Sequence, residues 1–295
     1  MYDYDVEELK KILLAIINLS LDADSYNWLL EKSNIISSEE NARQLNLSFA
    51  AIARKTGNKI ITVTANEEKQ INTTLPGFSI INFPLRRLCR TWILLHVSAG
   101  EQENYFNKVS GLFKNAEMNE LADLYASLPV FAYPEIWVKR CAEGIRSNIG
   151  IVLDAIMYDN PYPSKHLDEA AWNQLVLKAF FADKDVNRII GLDKRANKKL
   201  ASTLIDYAHE RQAAKRSVNV QLWRLVGSFV DESNFDDIQK LFLSEDIHSK
   251  QAAALSCSRS RYEPAQQLLD SVPELKNDIL NNKLNWRNIN SRDKF

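Results

Sequence analysis

The chain has 295 residues, with 37 Lys and Arg against 38 Asp and Glu, and its formal net charge is −1. A nearly neutral chain has no overall electrostatic field that would attract nucleic acid or an anionic membrane surface. Only 8 Gly and 8 Pro interrupt the sequence, which favours helices over a turn-rich β architecture.

The first 56 residues predict three helices. They cover residues 6–21, a segment through Trp28 and Leu30, and residues 39–55. Asp22 or Asp24 could cap the second helix, because Asp accepts hydrogen bonds from the free N–H groups of a helix start. An apolar run at residues 12–21 is too short to cross a bilayer, so no membrane span is predicted.

The helical pattern fails between residues 57 and 84. This segment is rich in Thr, Asn, Gly and Pro, and it contains short β-like runs at residues 59–64 and 78–83. We expect a long excursion, either a loop or a small β-hairpin. Loops of this length in a compact domain are typically lids, binding loops or mobile segments.

Helical periodicity resumes at residue 85 and predicts a central core over residues 85–217. From residue 218 to residue 280 the helices shorten, and residues 281–295 form a polar tail that we expect to fray. Short helices at this spacing resemble antiparallel HEAT-like hairpins, although no strict repeat period exists. We therefore predict an all-α fold, an irregular HEAT-like bundle of antiparallel helix pairs with one long excursion, in one continuous domain.

Three asparagines interrupt helix faces that are otherwise apolar. Side chains three or four residues apart share a helix face, and this spacing places Asn148, Asn173 and Asn197 among core residues. A buried amide without a partner costs about 1–3 kcal/mol. Each of the three is therefore expected to meet another polar group, a water molecule or a ligand.

Arg211 projects into the same apolar stripe as Asn197. Arginine is rarely buried unless it is paired. One interpretation is an internal salt bridge, to Asp193 or Asp154, that pins the helices together. The other is an anion clamp inside a pocket. The local excess of basic residues between 184 and 216 is compatible with both, and the sequence leaves the choice open.

Asp206, His209 and Glu210 share one face of the helix predicted at residues 196–216. They are candidates for acid–base catalysis or for part of a metal site. The alternative is an ordinary solvated polar face. A single helix supplies too few metal ligands, and the other histidines lack ligand spacing, so no metal is predicted.

Several familiar chemistries have no motif in this chain. GxSxG, a Walker A loop and GxGxxG are absent, so no cofactor is predicted and an enzymatic role is uncertain. The 3 cysteines are scattered without a CxxC pair. This pattern predicts a reducing, cytoplasmic setting without structural zinc.

A series of short motifs resembles one known family, the EboA-type metabolite traffic proteins. The motifs are Leu128-Pro129, Pro134-Glu135, Arg146-Ser147-Asn148, Asn160-Pro161-Tyr162-Pro163, Trp172-Asn173-Gln174-Leu175-Val176-Leu177-Lys178-Ala179, Gly191-Leu192-Asp193-Lys194-Arg195-Ala196-Asn197, Asp206-Tyr207-Ala208-His209-Glu210-Arg211 and Leu222-Trp223-Arg224. A weaker similarity lies at residues 90–95. Gln212 stands where this family usually has Trp, so no stacking role is assigned to it.

The resemblance implies a context rather than a reaction. Genes of this family lie in bacterial clusters with a UbiA-type prenyltransferase, a sugar-phosphate cyclase, a TatD-like metal-dependent hydrolase and a TIM-barrel protein. Such clusters are linked to the movement or processing of secondary metabolites, including export of a sunscreen-pigment precursor. The resemblance therefore implies a small-molecule ligand and makes the encoded proteins of the cluster candidate partners.

The leading hypothesis is a non-enzymatic or accessory protein that binds a small metabolite in a polar, anion-tolerant pocket between the central helices. The candidate ligand-binding residues are Arg146, Asn148, Asn160, Tyr162, Trp172, Asn173, Lys178, Asp193, Arg195, Asn197, Tyr207 and Arg211. One alternative is an enzyme that uses His209 and Glu210 on a phosphorylated or prenyl-linked metabolite. Another is a helical scaffold for partner enzymes.

Overall fold

The computed structural model describes residues 1–289. Helices joined by short connections make up this part of the chain, and it contains no β-strand. The prediction of an all-α fold is therefore confirmed, whereas a HEAT-like repeat stays a prediction. None of the helices in the described chain combines the length and the apolar content needed to cross a bilayer.

The chain divides into two compact units. The first contains Met1–Trp172 together with Arg188–Ile190, and the second contains Asn173–Asn187 and the chain from Gly191 onward. The helices of the first unit are α1 Val6–Asn18, α2 Ala23–Ser38, α3 Arg43–Thr56, α4 Ala65–Thr74, α5 Leu85–Leu94, α6 Gln102–Asn115, α7 Met118–Ala126, α8 Val138–Arg146, α9 Gly150–Met157 and α10 Tyr162–His166. Helix α11, Glu169–Phe181, begins in the first unit and ends in the second.

Side-chain caps fix where several of these helices begin. Asp5 accepts the N–H of Glu8 at 3.0 Å, and Asp22 accepts the N–H of Ser25 at 2.9 Å. Each cap satisfies an N–H group that has no partner inside the helix. Of the two predicted candidates, Asp22 and Asp24, the structure shows that Asp22 caps α2.

The excursion at residues 57–84 contains a helix that the sequence reading missed. Thr64 and Glu67 form a reciprocal capping box that starts α4. The two β-like ends of the excursion do meet, since Ile60 and Pro84 form an isolated antiparallel bridge. They pair over too short a stretch to make strands, and α4 lies between them in the chain.

The second half of the excursion is attached to the turn that opens α10. Gly77 adopts a left-handed backbone with φ of 85°, and a Cβ at this position would lie 3.2 Å from the Pro161 Cβ. The Lys165 ammonium donates to the Pro76 carbonyl at 2.9 Å. These contacts hold residues 78–83 as a fixed wall of the first unit.

The second unit is organised around a buried helix. Its helices are α12 Lys198–Ala213, α13 Phe235–Leu243, α14 Ile247–Arg259, α15 Glu263–Asp270 and α16 Pro273–Leu280. Helix α14 buries a run of alanines and packs against α13, α15 and α16. The segment of short helices predicted from residue 218 begins with two 3-10 turns, Val220–Leu225 and Gly227–Phe229.

The described start of the C-terminal tail is packed. Leu284, Trp286 and Ile289 are buried, and the Gln221 side chain donates to the Trp286 carbonyl at 2.6 Å. Burial of these apolar side chains explains why residues 284–289 do not fray. The remaining part of the predicted tail, residues 290–295, lies outside the described residues.

Candidate functional site

Asn173 and Asn197 meet each other. The Asn197 amide donates to Asn173 Oδ1 at 2.8 Å, and the Asn173 amide donates back at 3.2 Å. Asn197 Oδ1 also accepts the N–H of Leu200 at 2.9 Å and so caps α12. The expected polar partner is therefore found within the second unit, where the pair joins the start of α12 to α11.

Asn148 does not face the core, so that prediction is wrong. The helical spacing that placed Asn148 on a core face does not run through one continuous helix, because the structure divides this segment into α8 and α9, and Asn148 lies in the turn between them. Asn148 is exposed and has φ of 58°, a left-handed conformation that Asn tolerates better than most residues. A face calculated for one continuous helix no longer holds across such a turn. Arg146 is likewise exposed.

Arg211 closes the end of its own helix. Its Nε donates to the Ser217 carbonyl at 2.9 Å, and its guanidinium lies 5.8 Å from the Tyr207 ring centroid. Within the second unit, Asp193 pairs with Arg224 and Arg259 rather than with Arg211. Arg211 is thus half-buried and binds the segment that follows α12. The proposed salt bridge to Asp193 is not formed.

Asp193 is the centre of an ion-pair network. It accepts hydrogen bonds from Arg224 Nε at 2.8 Å and from Arg259 Nη1 at 2.6 Å. Burial opposes its ionisation, but these two arginines outweigh burial and lower the pKa of Asp193 to about 2. Arg224 donates in addition to the Asn187 side chain. This network links three segments of the second unit, which explains Asp193 without a ligand.

The three acid–base candidates, Asp206, His209 and Glu210, are exposed. His209 Nε2 lies 2.8 Å from Asp237 Oδ1 on α13. The described residues contain no group of three or more His, Cys, Asp or Glu side chains placed to hold a metal ion. His209 therefore connects two helices of the second unit.

Asn160 and Tyr162 lock the turn after α9. The Asn160 amide donates to the carbonyls of Tyr125 at 3.1 Å and Ala155 at 2.9 Å, and its Oδ1 accepts the Tyr162 N–H at 3.0 Å. The Tyr162 hydroxyl donates to the Pro134 carbonyl at 2.5 Å. Burial raises the pKa of Tyr162, so this hydroxyl is a neutral structural donor.

The remaining predicted ligand residues have varied surroundings. Trp172 is buried. Lys178 and Arg195 are half-buried, and the Lys178 ammonium lies 5.6 Å from the Phe181 ring centroid. The Tyr207 hydroxyl donates to the Phe180 carbonyl at 3.4 Å. These contacts do not test whether the predicted set binds a ligand, so that assignment stays a prediction.

A cleft of about 300 Å³ lies in the first unit, next to Asn160. The second half of the excursion, α5, α9 and the turn after α9 supply most of its walls. Its lining residues are Phe78, Ser79, Ile81, Asn82, Phe83, Arg87, Ala126, Ile151, Asp154, Ala155, Tyr158, Asp159, Asn160 and Arg188. The lining thus mixes aromatic rings and aliphatic side chains with charged groups of both signs.

Arg188 and Asp159 form one charged pair in the cleft. Arg188 Nε and Nη2 both donate to Asp159 Oδ2, at 3.0 Å and 2.5 Å. The Asp159 N–H donates back to the Arg188 carbonyl at 2.9 Å. The Arg188 guanidinium also lies 4.3 Å from the Tyr158 ring centroid. These contacts bring residues 188–190 beside the end of α9, where Tyr158 and Ile189 form an antiparallel bridge.

Arg87 is the second guanidinium in the cleft. Its Nε donates to Asp123 Oδ1 at 2.8 Å, and it lies 5.2 Å from the Phe83 ring centroid. Asp123 also binds Arg90 and Arg86 and is completely buried. A buried carboxylate on α7 therefore orients Arg87 at the cleft wall.

The sequence reading missed Arg87 and Arg188. A usable signal existed for Arg87, because Arg86, Arg87 and Arg90 interrupt a helix that is otherwise apolar. This is the same signal that drew attention to Arg211. For Arg188 no local signal existed, since its partner Asp159 is 29 residues away in sequence.

Comparisons with known proteins add one finding. No curated protein and no solved structure matches this chain. One family model, described as metabolite traffic protein EboA, matches residues 9–227. This range covers well over half of the chain and includes every residue that lines the cleft. The match confirms the resemblance drawn from the motifs, and the chain belongs to the EboA family of metabolite traffic proteins.

Proposed function

We propose that this protein is a non-enzymatic accessory protein that binds a small metabolite in the cleft of its first unit. The observation that supports this most is the cleft lining, where two guanidiniums lie beside three aromatic rings. Small-molecule sites are concave, largely apolar and fitted with a few polar groups that orient the ligand. The volume of about 300 Å³ lies at the small end of such sites.

The walls of the cleft are held in place by contacts outside it. Asn160 is anchored by three hydrogen bonds, and the excursion is attached to Pro161 and Lys165. A site that is formed before binding loses less conformational entropy when its ligand arrives. The rigid surroundings support a binding site rather than an accidental surface depression.

The chemistry of the lining supports binding rather than turnover. The acid–base candidates Asp206, His209 and Glu210 are not among the lining residues. Asp159 is engaged by Arg188 in an ion pair, so its Oδ2 already has a partner within the protein. We infer that the ligand is carried or presented in the cytoplasm, with the prenyltransferase, the TatD-like hydrolase and the TIM-barrel protein as candidate donors and acceptors.

A cleft-blocking substitution tests the proposal. Ile151 lines the cleft and is 38% exposed, so Ile151→Trp should fill the cleft without disturbing the core. Leu47→Trp on α3, which is 57% exposed and not part of the lining, is the matched control. Thermal unfolding of all three proteins is measured with a panel of sugar phosphates, aromatic carboxylates and neutral ring compounds.

A compound at 100 times its Kd should stabilise the wild type by about 2.7 kcal/mol. We expect the Leu47→Trp protein to keep this stabilisation and the Ile151→Trp protein to lose it. Equal stabilisation of both variants would place the binding site elsewhere. A panel without any stabilising compound would also count against a small-metabolite ligand.

A further inference from the structure

Three arginines of α5 meet at one carboxylate, and they differ in how many of their donors are used. Arg90 uses all three of its nitrogens, which donate to the Phe49 carbonyl, Asp123 and Glu120 at 2.8–3.1 Å. Arg86 binds Asp123 and Asn119 through its two terminal nitrogens. Each nitrogen of Arg90 is thus engaged, and the residue is buried at 2% exposure, so it is not accessible to a ligand.

Arg87 is different because only its Nε is engaged. That nitrogen donates to Asp123, and neither Nη donates to an acceptor among residues 1–289. The guanidinium carries two N–H groups on each Nη, and it stays charged at any physiological pH. Its side chain is only 20% exposed. Arg87 therefore presents a forked pair of donors in a largely desolvated position at the cleft.

Within the α5–α7 cluster that holds Arg87 the charges favour an anion, although Asp154 also lines the cleft. Arg86, Arg87 and Arg90 share two carboxylates, Asp123 and Glu120, so three positive charges oppose two negative ones. The excess of one positive charge lies where solvent screening is weak, because Asp123 and Arg90 are buried. A planar fork of this kind matches a carboxylate or a phosphate.

The other cation of the cleft is already neutralised. Arg188 directs two of its nitrogens to Asp159 and stacks near the Tyr158 ring. In the lining, the Arg188 guanidinium therefore contributes a planar face next to the Tyr158 ring. Phe83 provides a second ring next to Arg87, and it contacts Phe78 edge to face with 6.3 Å between the ring centroids.

We propose that Arg87 binds the anionic end of the ligand, a carboxylate or a phosphate, and that a small planar ring attached to it packs against Phe83 and Tyr158. This inference rests on the proposed function and names the ligand class of the same cleft. One ligand can use both groups, since the guanidinium and the aromatic walls lie in one space of about 300 Å³.

Four probes separate the two requirements in the wild-type protein. Benzoate and phenyl phosphate carry a ring and an anion, benzamide carries the ring alone, and inorganic phosphate carries the anion alone. Calorimetric titration should give measurable binding for the first two. We expect benzamide to bind at least about 10-fold more weakly, because hydrogen bonds to charged groups contribute about 1.5–3 kcal/mol. Inorganic phosphate should also bind more weakly, because it buries no apolar ring surface.

Two arginine variants locate the anion. Arg87→Met should weaken benzoate binding about 10- to 100-fold. Arg86→Met removes a guanidinium from the same carboxylate but not from the cleft lining, and it should weaken benzoate binding much less than Arg87→Met does. Equal losses in the two variants would overturn the assignment of Arg87. Circular dichroism of both variants checks that the helices persist.

The comparison of benzoate with benzamide needs only wild-type protein, so it decides the question even if Arg87→Met does not fold. Equal binding of the two would overturn the anionic ligand class. If Ile151→Trp still abolished that binding, the cleft would remain a metabolite site and only its ligand class would change. If Ile151→Trp had no effect on any bound probe, the proposed function itself would fail.

Discussion

Arg90 and Asp123 form a buried ion pair between α5 and α7. Arg90 Nη1 donates to Asp123 Oδ2 at 2.8 Å, and the two residues are 2% and 0% exposed. Taking two charges out of water costs free energy that only good geometry and further hydrogen bonds can offset. Glu120 and the Phe49 carbonyl supply those bonds to Arg90, and Arg87 supplies another to Asp123.

Asp123→Asn is expected to destabilise the protein strongly. The substitution keeps the shape of the side chain but leaves three guanidiniums facing a neutral amide. Breaking a buried charge pair on one side costs about 3–5 kcal/mol, and urea denaturation measures the loss. Glu120→Gln is the control, because Glu120 pairs with Arg90 alone and is partly exposed. A loss no larger than that of the control would show that Asp123 is not the central counter-charge.

The Asn173–Asn197 pair predicts two unequal losses of stability. Asn197→Ala removes the cap of α12 as well as the pair, and loss of a cap alone costs about 1 kcal/mol. Asn173→Ala leaves that cap in place, so it should cost less. The double variant should lose less than the sum of the two, because both single variants remove the same pair. Strictly additive losses in urea denaturation would contradict the paired arrangement.

His96 makes stability depend on pH. Its ring lies 4.3 Å from that of Trp92, and its Nε2 is buried without a partner among the described residues. Burial, followed by the charge of Lys10, lowers the pKa of His96 to about 4. The unfolded chain, with an ordinary pKa of about 6.5, binds the proton more readily. The stabilising contribution is therefore present above pH 6.5 and is lost as pH falls towards 4.

His96→Phe tests this dependence because phenylalanine keeps an aromatic ring beside Trp92 and cannot titrate. The wild type should lose up to about 3 kcal/mol more than the variant between pH 7 and pH 4. Carboxylates elsewhere titrate in both proteins, so the difference between the two curves isolates His96. Parallel curves in urea denaturation at both pH values would remove His96 as the cause.

Local patterns predicted the elements that depend on local contacts. Apolar periodicity was enough for an all-α fold, and Asp22 was found as a cap because the partner of a cap lies three residues away. The excursion hid α4, although Thr64 and Glu67 have the spacing of a capping box. The β-like runs around it drew the interpretation towards a hairpin, and their ends do form one bridge.

The candidate site could be predicted only in part because its contacts are long-range. Asn160 belongs to one of the motifs that carry the family resemblance, and it lines the cleft. The prediction that the Asn148 side chain faces the core was wrong. Asn148 itself adopts a left-handed conformation, so the helix on which its face was calculated does not continue through it. Arg87 depends on Asp123, which lies 36 residues away. Asp123 engages the arginines of α5 to different extents. A helical projection of the sequence cannot show which of them keeps free N–H groups.

Gly144 and Gly111 predict opposite effects of the same substitution. Gly144 is in α8, and a Cβ there would lie 2.6 Å from Ile156 Cδ1 and from the Tyr125 ring. Gly111 is in α6, and a Cβ there would meet no atom within 4 Å. Alanine is favoured over glycine in a helix interior by about 1 kcal/mol. Gly111→Ala should therefore raise the free energy of unfolding by up to that amount.

Gly144→Ala should lower the free energy of unfolding, because the clash outweighs the gain in helix propensity. The Tyr125 ring cannot move aside freely, since its hydroxyl donates to the Arg140 carbonyl at 3.2 Å, and Ile156 is completely buried. Overpacking of a tight core costs about 1–3 kcal/mol. Urea midpoints at unchanged m-values measure both effects. A stabilised Gly144→Ala protein would mean that α8 can move away from α7 and α9, and that the packing beneath the cleft is looser than these contacts require.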